Sequence, residues 1–348
     1  MSPLRNGLLS VGDLDLDGIG NIMKLSAVFS EVLGRDIPKV PALRGKTMAM
    51  VFSEDSTRTR TSFEIAAKKL SMDILSLNSS QSSIKKGESL KDTLANLHAI
   101  GADCFVIRHS SAGVPAQAST WLPVPIVNAG DGCHEHPTQA LLDCYTLIKE
   151  LNDSGDSADD DQILKCFNGL AVTIVGDVEH SRVARSLVKM LDMLGAVTTL
   201  CGPKTLMPKY VDKWPVRVRY RLDEVLPETQ VCYVLRLQNE RGSGIYLSSM
   251  REYAMNWGID HRRDALLPDN AVIMHPGPVN RGVELASDIA DSTRSLILDQ
   301  ASNGVAVRMA VIYMLLANSG DVTFDKGAFD KGNLVSMRYA DRETNEQV

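Results

Sequence analysis

The chain has 348 residues and a mass of 38.0 kDa, more than one hydrophobic core usually supports, so we expect two domains. Hydrophobic residues make up 44% and charged residues 23%, as in ordinary globular proteins, and the net charge of -6 argues against general binding to nucleic acid or anionic lipid. No apolar run approaches the roughly 20 residues of a membrane helix, and no signal peptide is recognisable. We therefore expect a cytoplasmic protein without a membrane segment.

The first half alternates short apolar runs with helical periodicity. Strands are predicted at residues 46–52, 72–77, 103–108 and 125–128, and helices are predicted to begin at Thr57, Leu90 and Pro137. This alternation is typical of a parallel sheet with helical crossovers. Residues 152–168 then become rich in aspartate, and we interpret them as an acidic, solvated surface insertion.

The second half repeats the alternation. Strands are predicted at residues 170–175, 197–200, 231–235 and 271–274, and a last helix at about 303–317. We therefore predict a first domain at 1–150, a second at 151–300, a C-terminal helix at 301–318 and a polar tail at 319–348. The predicted fold class is α/β, with two doubly wound domains, each a central parallel sheet flanked by helices.

The hexad Ser-Thr-Arg-Thr-Arg-Thr at 56–61 opens the first of these helices, directly after a strand. Its hydroxyls and arginine crowd a first turn whose unpaired N–H groups and dipole favour an anion. The buried face of the helix is predicted to contain Phe63, Ala66, Ala67 and Leu70. Ordinary capping by Ser56 with solvated arginines is the alternative. The hexad is thus a candidate phosphate site.

Arginine, threonine, histidine and glutamine side chains follow five of the predicted strands. In sheets of this kind ligands bind at the carboxyl ends of the strands, so we expect one cleft between the domains. Neither a GxGxxG loop nor a GxxxxGK[ST] loop is present, and the six cysteines form no CxxC pair. Reduced thiols and a site without metal or other cofactor are expected, one that stabilises charge and positions reactants.

Six motifs then occur in a fixed order along the chain: STRTR at 56–60, SSIKKGE at 82–88, HPTQ at 136–139, GDVEHSR at 176–182, RLQNER at 236–241 and HPGPVNRGVE at 275–284. Together they resemble the aspartate carbamoyltransferases over about positions 10 to 318. STRTR and HPxQ mark carbamoyltransferases generally, whereas RxQxER and HPGP distinguish the aspartate enzymes from the ornithine enzymes.

The resemblance implies transfer of a carbamoyl group from carbamoyl phosphate to L-aspartate, an early step of pyrimidine (UMP) biosynthesis. The first domain would bind carbamoyl phosphate and the second aspartate, with the last helix packing back on the first domain. The residues implied to bind carbamoyl phosphate are Ser56, Thr57, Arg58, Thr59, Ser82, Lys86, Arg108, His136, Gln139, Gly277 and Pro278, with a cis bond between the last two. Those implied to bind aspartate are Lys86, Arg182, Arg236 and Gln238.

Within this set the resemblance assigns catalysis to Arg58, Thr59, Lys86, Arg108 and His136. It also implies a homotrimer, because Ser82 and Lys86 would reach the active site of the neighbouring subunit. A regulatory chain or a dihydroorotase as a further partner stays open. So do two alternatives: transfer to another amine such as L-ornithine, and a non-catalytic structural homologue.

Overall fold

The computed structural model describes residues 7–54, 56–78, 88–152, 163–238 and 249–317. They form two five-stranded parallel sheets with helices packed on them, which confirms the predicted fold class. Within these ranges no helix has the length and apolar character needed to cross a bilayer. The predicted tail at 319–348 lies outside the described residues.

The first sheet has the strand order β1-β5-β4-β2-β3. Its strands and helices are β1 (Gly7–Leu8), α1 (Leu16–Leu33), β2 (Thr47–Phe52), α2 (Thr57–Lys69), β3 (Asp73–Asn78), α3 (Leu90–Ile100), β4 (Cys104–His109), α4 (Val114–Ser119), β5 (Ile126–Asp131) and α5 (Pro137–Leu151). The predicted strands and helices of this half are present within two or three residues. The predicted face of α2 is fully buried at Phe63, Ala66, Ala67 and Leu70.

The second sheet has the strand order β10-β9-β6-β7-β8. Its strands and helices are β6 (Ala171–Val175), α6 (Arg182–Met193), β7 (Val197–Cys201), β8 (Arg217–Arg219), β9 (Val231–Val234), α7 (Met250–Trp257), α8 (His261–Asp264), β10 (Val272–Met274), α9 (Ser287–Ala290) and α10 (Ile297–Leu316). The four predicted strands are confirmed, and α6 buries Ala184, Leu187, Val188 and Leu191 on one face.

Helix α10 returns from the second sheet to the first domain, where it packs against α1, α2 and α5. This confirms the packing that the resemblance implied. The helix begins at Ile297, six residues before the predicted start, because the polar residue Gln300 is buried and belongs to its packed face.

The acidic segment at 152–168 differs in part from the expectation. Residues 153–162 lie outside the described residues, but the segment closes with Phe167 fully buried in the main core. The expectation of a solvated insertion is therefore wrong at its C-terminal end, where an aromatic side chain gains by leaving water.

Candidate active site

A cleft of about 630 Å³ lies between the two sheets at the carboxyl ends of their strands. Both domains and α10 contribute to its walls. The predicted residues that line it are Ser56, Thr57, Arg58, Thr59, Arg108, His136, Gln139, Arg182, Arg236, Gln238, Gly277 and Pro278. The two remaining predicted residues, Ser82 and Lys86, lie outside the described residues. The structure thus brings together every predicted site residue that it describes.

The hexad sits where it can hold an anion. After β2, the backbone N–H and the hydroxyl of Ser53 both donate to the carbonyl of Arg108, each at 3.0 Å, which fixes the chain at the end of β4. Ser56 then occupies the N-cap of α2, but its side chain makes no capping hydrogen bond. The alternative of ordinary capping by Ser56 is therefore wrong, and the first turn of α2 faces the cleft without a capping side chain.

The charge of the cleft is strongly one-sided. Among the described residues that line it are five arginines, Arg58, Arg108, Arg182, Arg236 and Arg308, and neither aspartate nor glutamate. Burial and the nearby charge of Arg236 lower the pKa of Arg58 from its ordinary value. Guanidinium groups that repel one another in a partly buried cleft are stabilised when an anion binds between them. The overall negative charge of the chain is thus reversed locally.

One carboxylate behind the lining ties the two domains together. Glu54 Oε2 lies 2.5 Å from Arg182 Nη2 and 3.4 Å from Arg108 Nε. Arg108 also donates from Nη1 to the carbonyl of Ala129 at 3.1 Å. Because Arg108 lies near the carboxyl end of β4 and Arg182 is the first residue of α6, Glu54 holds one guanidinium from each domain in a fixed place.

His136 presents an unpaired ring nitrogen in this cationic setting. Its backbone N–H donates to Ser186 Oγ at 2.8 Å, and its Nδ1 lies 3.5 Å from the Thr138 hydroxyl. Within the described structure its buried Nε2 has no hydrogen-bond partner. Burial, and then Arg108, Arg308 and Arg182, hold the pKa of His136 well below its ordinary value. The ring is therefore neutral at physiological pH, with one nitrogen available to a ligand.

The loop after β10 closes the opposite wall. His275 Nδ1 accepts a hydrogen bond from the backbone N–H of Gly277 at 2.7 Å, so the ring hydrogen is on Nε2, which faces the buried Glu284 at 3.3 Å. Gly277 has φ +64°, and a β-carbon there would overlap the Arg58 guanidinium. The Gly277–Pro278 bond is cis, as the resemblance implied. The loop backbone therefore lies directly against the arginine of the hexad.

Sequence reasoning missed Glu54 and Arg308. Glu54 stands between strand and hexad without a motif of its own, so only the fold shows its two partners. Arg308 could have been recognised in the sequence as a candidate functional residue. From residue 300 to the end of α10 it is the single charged residue in an otherwise mostly apolar helix. Its guanidinium is stacked 5.0 Å from the centre of the Phe63 ring and donates to Ser62 Oγ at 2.9 Å.

Other polar residues near the cleft have structural partners. Asp131 is buried and accepts from Gly113, Asn128 and the backbone of Glu135, while the half-exposed His134 faces the same carboxylate at 3.1 Å. Neither residue lines the cleft. In the described part of the chain, no group of three or more His, Cys, Asp or Glu side chains could hold a metal ion.

Two models of one protein family match successive parts of this chain. Residues 6–149 match the carbamoyl-P binding domain of aspartate/ornithine carbamoyltransferases, and residues 168–315 match the Asp/Orn binding domain of the same enzymes. The chain therefore belongs to the aspartate/ornithine carbamoyltransferase family.

Within that family this chain is similar to catalytic subunits of the aspartate type. The aspartate carbamoyltransferase catalytic subunit of Frankia casuarinae is 49% identical over 316 residues, which cover 91% of this chain and 95% of that protein. The catalytic subunit of a Nocardioides species is 49% identical over 318 residues, covering 91% of this chain and 96% of that protein. Among solved structures, aspartate transcarbamoylase from Trypanosoma cruzi in complex with carbamoyl phosphate and aspartate has 28% identity and a TM-score of 0.79, covering 90% of this chain and 98% of that one.

Proposed function

We propose that this chain is an aspartate carbamoyltransferase. It transfers the carbamoyl group of carbamoyl phosphate to the amine of L-aspartate and releases phosphate, in the cytoplasm and as an early step of pyrimidine biosynthesis. The observation that carries the proposal is the interdomain cleft with five guanidinium groups and no lining carboxylate among its described residues. A phosphate and a dicarboxylate together supply the negative charge that such a cleft requires.

The phosphate is held at the first turn of α2. Ser56, Thr57 and Thr59 offer hydroxyls beside the backbone N–H groups of the helix terminus, and Arg58 and Arg108 offer paired donors that match phosphate oxygens. Phosphate is also the leaving group, so the same contacts neutralise the charge that it carries away. Release of phosphate from this site therefore depends on positioned cations rather than on a strong general acid.

The carbonyl oxygen of the carbamoyl group faces Thr59, Arg108 and His136. When the Thr138 hydroxyl donates to Nδ1 of the neutral His136 ring, Nε2 carries the hydrogen and donates to that oxygen. This donor and the two neighbouring side chains stabilise the oxyanion that forms as the aspartate amine attacks. Gln139, with the backbone carbonyl of Pro278, holds the carbamoyl NH2.

Aspartate is held from the second domain. Arg182 and Arg236 bind its two carboxylates, with Gln238 beside them on the segment after β9. A substrate with one carboxylate would make only one of the two guanidinium–carboxylate contacts that aspartate makes, and would therefore bind more weakly. This asymmetry favours aspartate over a cationic amine such as L-ornithine.

The complete site is shared between copies of the chain. Ser82 and Lys86 reach it from a neighbouring subunit, Lys86 contacts both substrates, and three subunits close into a homotrimer. The family resemblance of the SSIKKGE motif supports this arrangement. A native mass above that of a trimer would indicate an additional partner, such as a regulatory chain or a dihydroorotase.

Turnover of matched hexad variants tests the enzyme assignment. Arg58→Ala is expected to lower aspartate-dependent phosphate release by about 100-fold or more, since it removes a charged donor from the leaving group. The control is Arg60→Ala in the same helix turn, whose guanidinium bonds to Ser76 Oγ at 3.2 Å and does not line the cleft. Its rate should stay within about threefold of wild type. A wild type with no turnover, or equal effects of both substitutions, would contradict the assignment.

Subunit mixing tests the shared site. Arg58→Ala and Lys86→Ala trimers are each expected to be inactive, but after dissociation and random reassembly about a quarter of the sites combine an intact Arg58 with an intact neighbouring Lys86. Activity should therefore return to about a quarter of the wild-type value. No recovery in mixed trimers of confirmed mass would exclude the shared site.

A further inference from the structure

A fully buried carboxylate lies beneath the cleft, one helical turn after Gln139. Asp143 has 0% of its surface exposed and accepts three hydrogen bonds. Its Oδ1 accepts from Gln139 Nε2 at 3.0 Å and from Gln300 Nε2 at 2.7 Å, and its Oδ2 accepts from the Tyr233 hydroxyl at 2.7 Å. These donors come from α5, α10 and β9, so one side chain connects both domains beneath the site.

The chemistry of this cluster fixes the direction of two amides. A side-chain amide has a donor at one end and an acceptor at the other, whereas a carboxylate only accepts. Burial raises the pKa of Asp143 to about 7, but Gln139 and Gln300 both approach Oδ1, so a proton on this group binds at Oδ2 and leaves Oδ1 as the acceptor. Both glutamines therefore turn their NH2 groups towards Asp143. Gln300 confirms this polarity, because its Oε1 accepts from the backbone N–H of His275 at 2.9 Å.

The same constraint leaves the carbonyl end of Gln139 for the cleft. Gln139 lines the cleft, and no described residue donates a hydrogen bond to its Oε1. An acceptor in this place can bind a group that carries N–H hydrogens. A methyl group of the same size cannot donate a hydrogen bond to this acceptor, so it binds there less well.

We propose that Asp143 is a positioning residue that sets the specificity of the site for a carbamoyl over an acyl phosphate, by holding the Gln139 amide with its carbonyl oxygen in the cleft. The inference rests on the proposed function. Without the Asp143 acceptor, the Gln139 amide can rotate and present either end. The cleft then no longer distinguishes an NH2 from a CH3 group.

Substitutions at Asp143 separate this role from simple packing. In Asp143→Leu the side-chain size is kept and the acceptor is lost. In Asp143→Asn the amide oxygen can remain at the Oδ1 position and accept from both glutamines, while its NH2 donates to the Tyr233 oxygen. The asparagine variant is therefore the rescue. Tyr233→Phe breaks the bond at Oδ2 and leaves the Oδ1 contacts, so it controls for disturbance of the same buried cluster.

The measurement is the inhibition constant of acetyl phosphate, competing with carbamoyl phosphate, divided by the KM for carbamoyl phosphate. Asp143→Leu should lower this ratio by about tenfold or more through the KM, with the acetyl phosphate constant within about twofold of wild type. Asp143→Asn and Tyr233→Phe should keep the ratio within about threefold. If the leucine variant does not fold, Asp143→Ser, too short to reach both amides, should lower the ratio by about threefold or more.

An unchanged ratio in folded Asp143→Leu or Asp143→Ser, or an equal loss in Tyr233→Phe, would overturn the inference. A wild type that turns over no carbamoyl phosphate would instead overturn the proposed function. The two failures are therefore distinguishable.

Discussion

Removing the charge of Glu54 is expected to weaken the use of aspartate. In Glu54→Gln the side chain keeps its shape, but the charged acceptor 2.5 Å from Arg182 Nη2 and 3.4 Å from Arg108 Nε is lost. The two guanidinium groups then face each other without a bridging charge. Both lie close enough that a β-carbon on Gly130 would be 2.7 Å from Arg182 Nη1 and 3.1 Å from Arg108 Nη1. Their repulsion displaces Arg182 from its place for a substrate carboxylate.

The size of the effect follows from the exposure of the pair. A hydrogen bond to a charged group contributes about 1.5–3 kcal/mol, and the lower part of that range applies because the Glu54 side chain is 20% exposed, although that of Arg182 is only 3% exposed. About 1.5–2 kcal/mol corresponds to a fall of about 10- to 30-fold in kcat/KM for aspartate.

The assay is the initial rate at saturating carbamoyl phosphate with aspartate varied. Glu64→Gln provides a matched control, because Glu64 pairs with Lys68 at 2.9 Å on the exposed side of α2. Such a surface pair contributes about 0–1 kcal/mol, and its loss should leave the kinetics within about twofold of wild type. Equal kinetics for the two variants would contradict the proposal that Glu54 holds Arg182 in place for a carboxylate of aspartate.

His136→Ala is expected to lower kcat by about 100-fold or more, because a preorganised donor to an oxyanion contributes on that order; a loss below about tenfold would contradict the role. The fold holds the pKa of His136 well below the value of about 6.5 in the unfolded chain, so on acidification the unfolded state binds a proton that the folded state does not. Below about pH 6.5 the free energy of unfolding of the wild type should therefore fall, relative to that of His136→Ala, by up to about 1.4 kcal/mol per pH unit. If urea unfolding shows a difference in free energy between the two proteins that does not change with pH, this prediction is wrong. Burial lowers the pKa of Arg308 to about 10, because its charge is costly to bury, so Arg308→Met should keep the free energy of unfolding within about 1 kcal/mol of wild type. In the same variant phosphate should inhibit about tenfold more weakly. Unchanged inhibition by phosphate would show that Arg308 does not contribute to phosphate binding.

The repeating strands and the hexad helix were predictable because their signals are local. Phe63, Ala66 and Ala67 recur at helical spacing and are all fully buried. Helix α1 was missed although Asp15 caps it and Ile19, Ile22 and Met23 are buried on one side. Two glycines in its first turns, Gly18 and Gly20, weaken the helical pattern, and packing against α10 stabilises a helix that propensity alone does not indicate.

The supporting residues of the site were beyond prediction because their partners are distant in the sequence. Gln300 and Asp143 are 157 positions apart, and Glu54 and Arg182 are 128 apart. No regular spacing in the sequence predicts either contact. The residues of each pair come together only because α10 returns to the first domain and the two sheets approach each other. The residues that line the cleft could be predicted from motifs, whereas Glu54, Asp143 and Gln300 could be recognised only from the fold.

The choice between L-aspartate and L-ornithine as the acceptor amine decides whether this site is of the aspartate type. Wild-type protein is given carbon-13-labelled carbamoyl phosphate and equal concentrations of L-aspartate and L-ornithine, without added metal or nucleotide, and the products are resolved by NMR. Carbamoyl aspartate should account for essentially all enzyme-dependent product, because Arg182 and Arg236 line the cleft where they can bind both carboxylates of aspartate. Citrulline as the main product, or no product above the uncatalysed reaction, would contradict the proposed function.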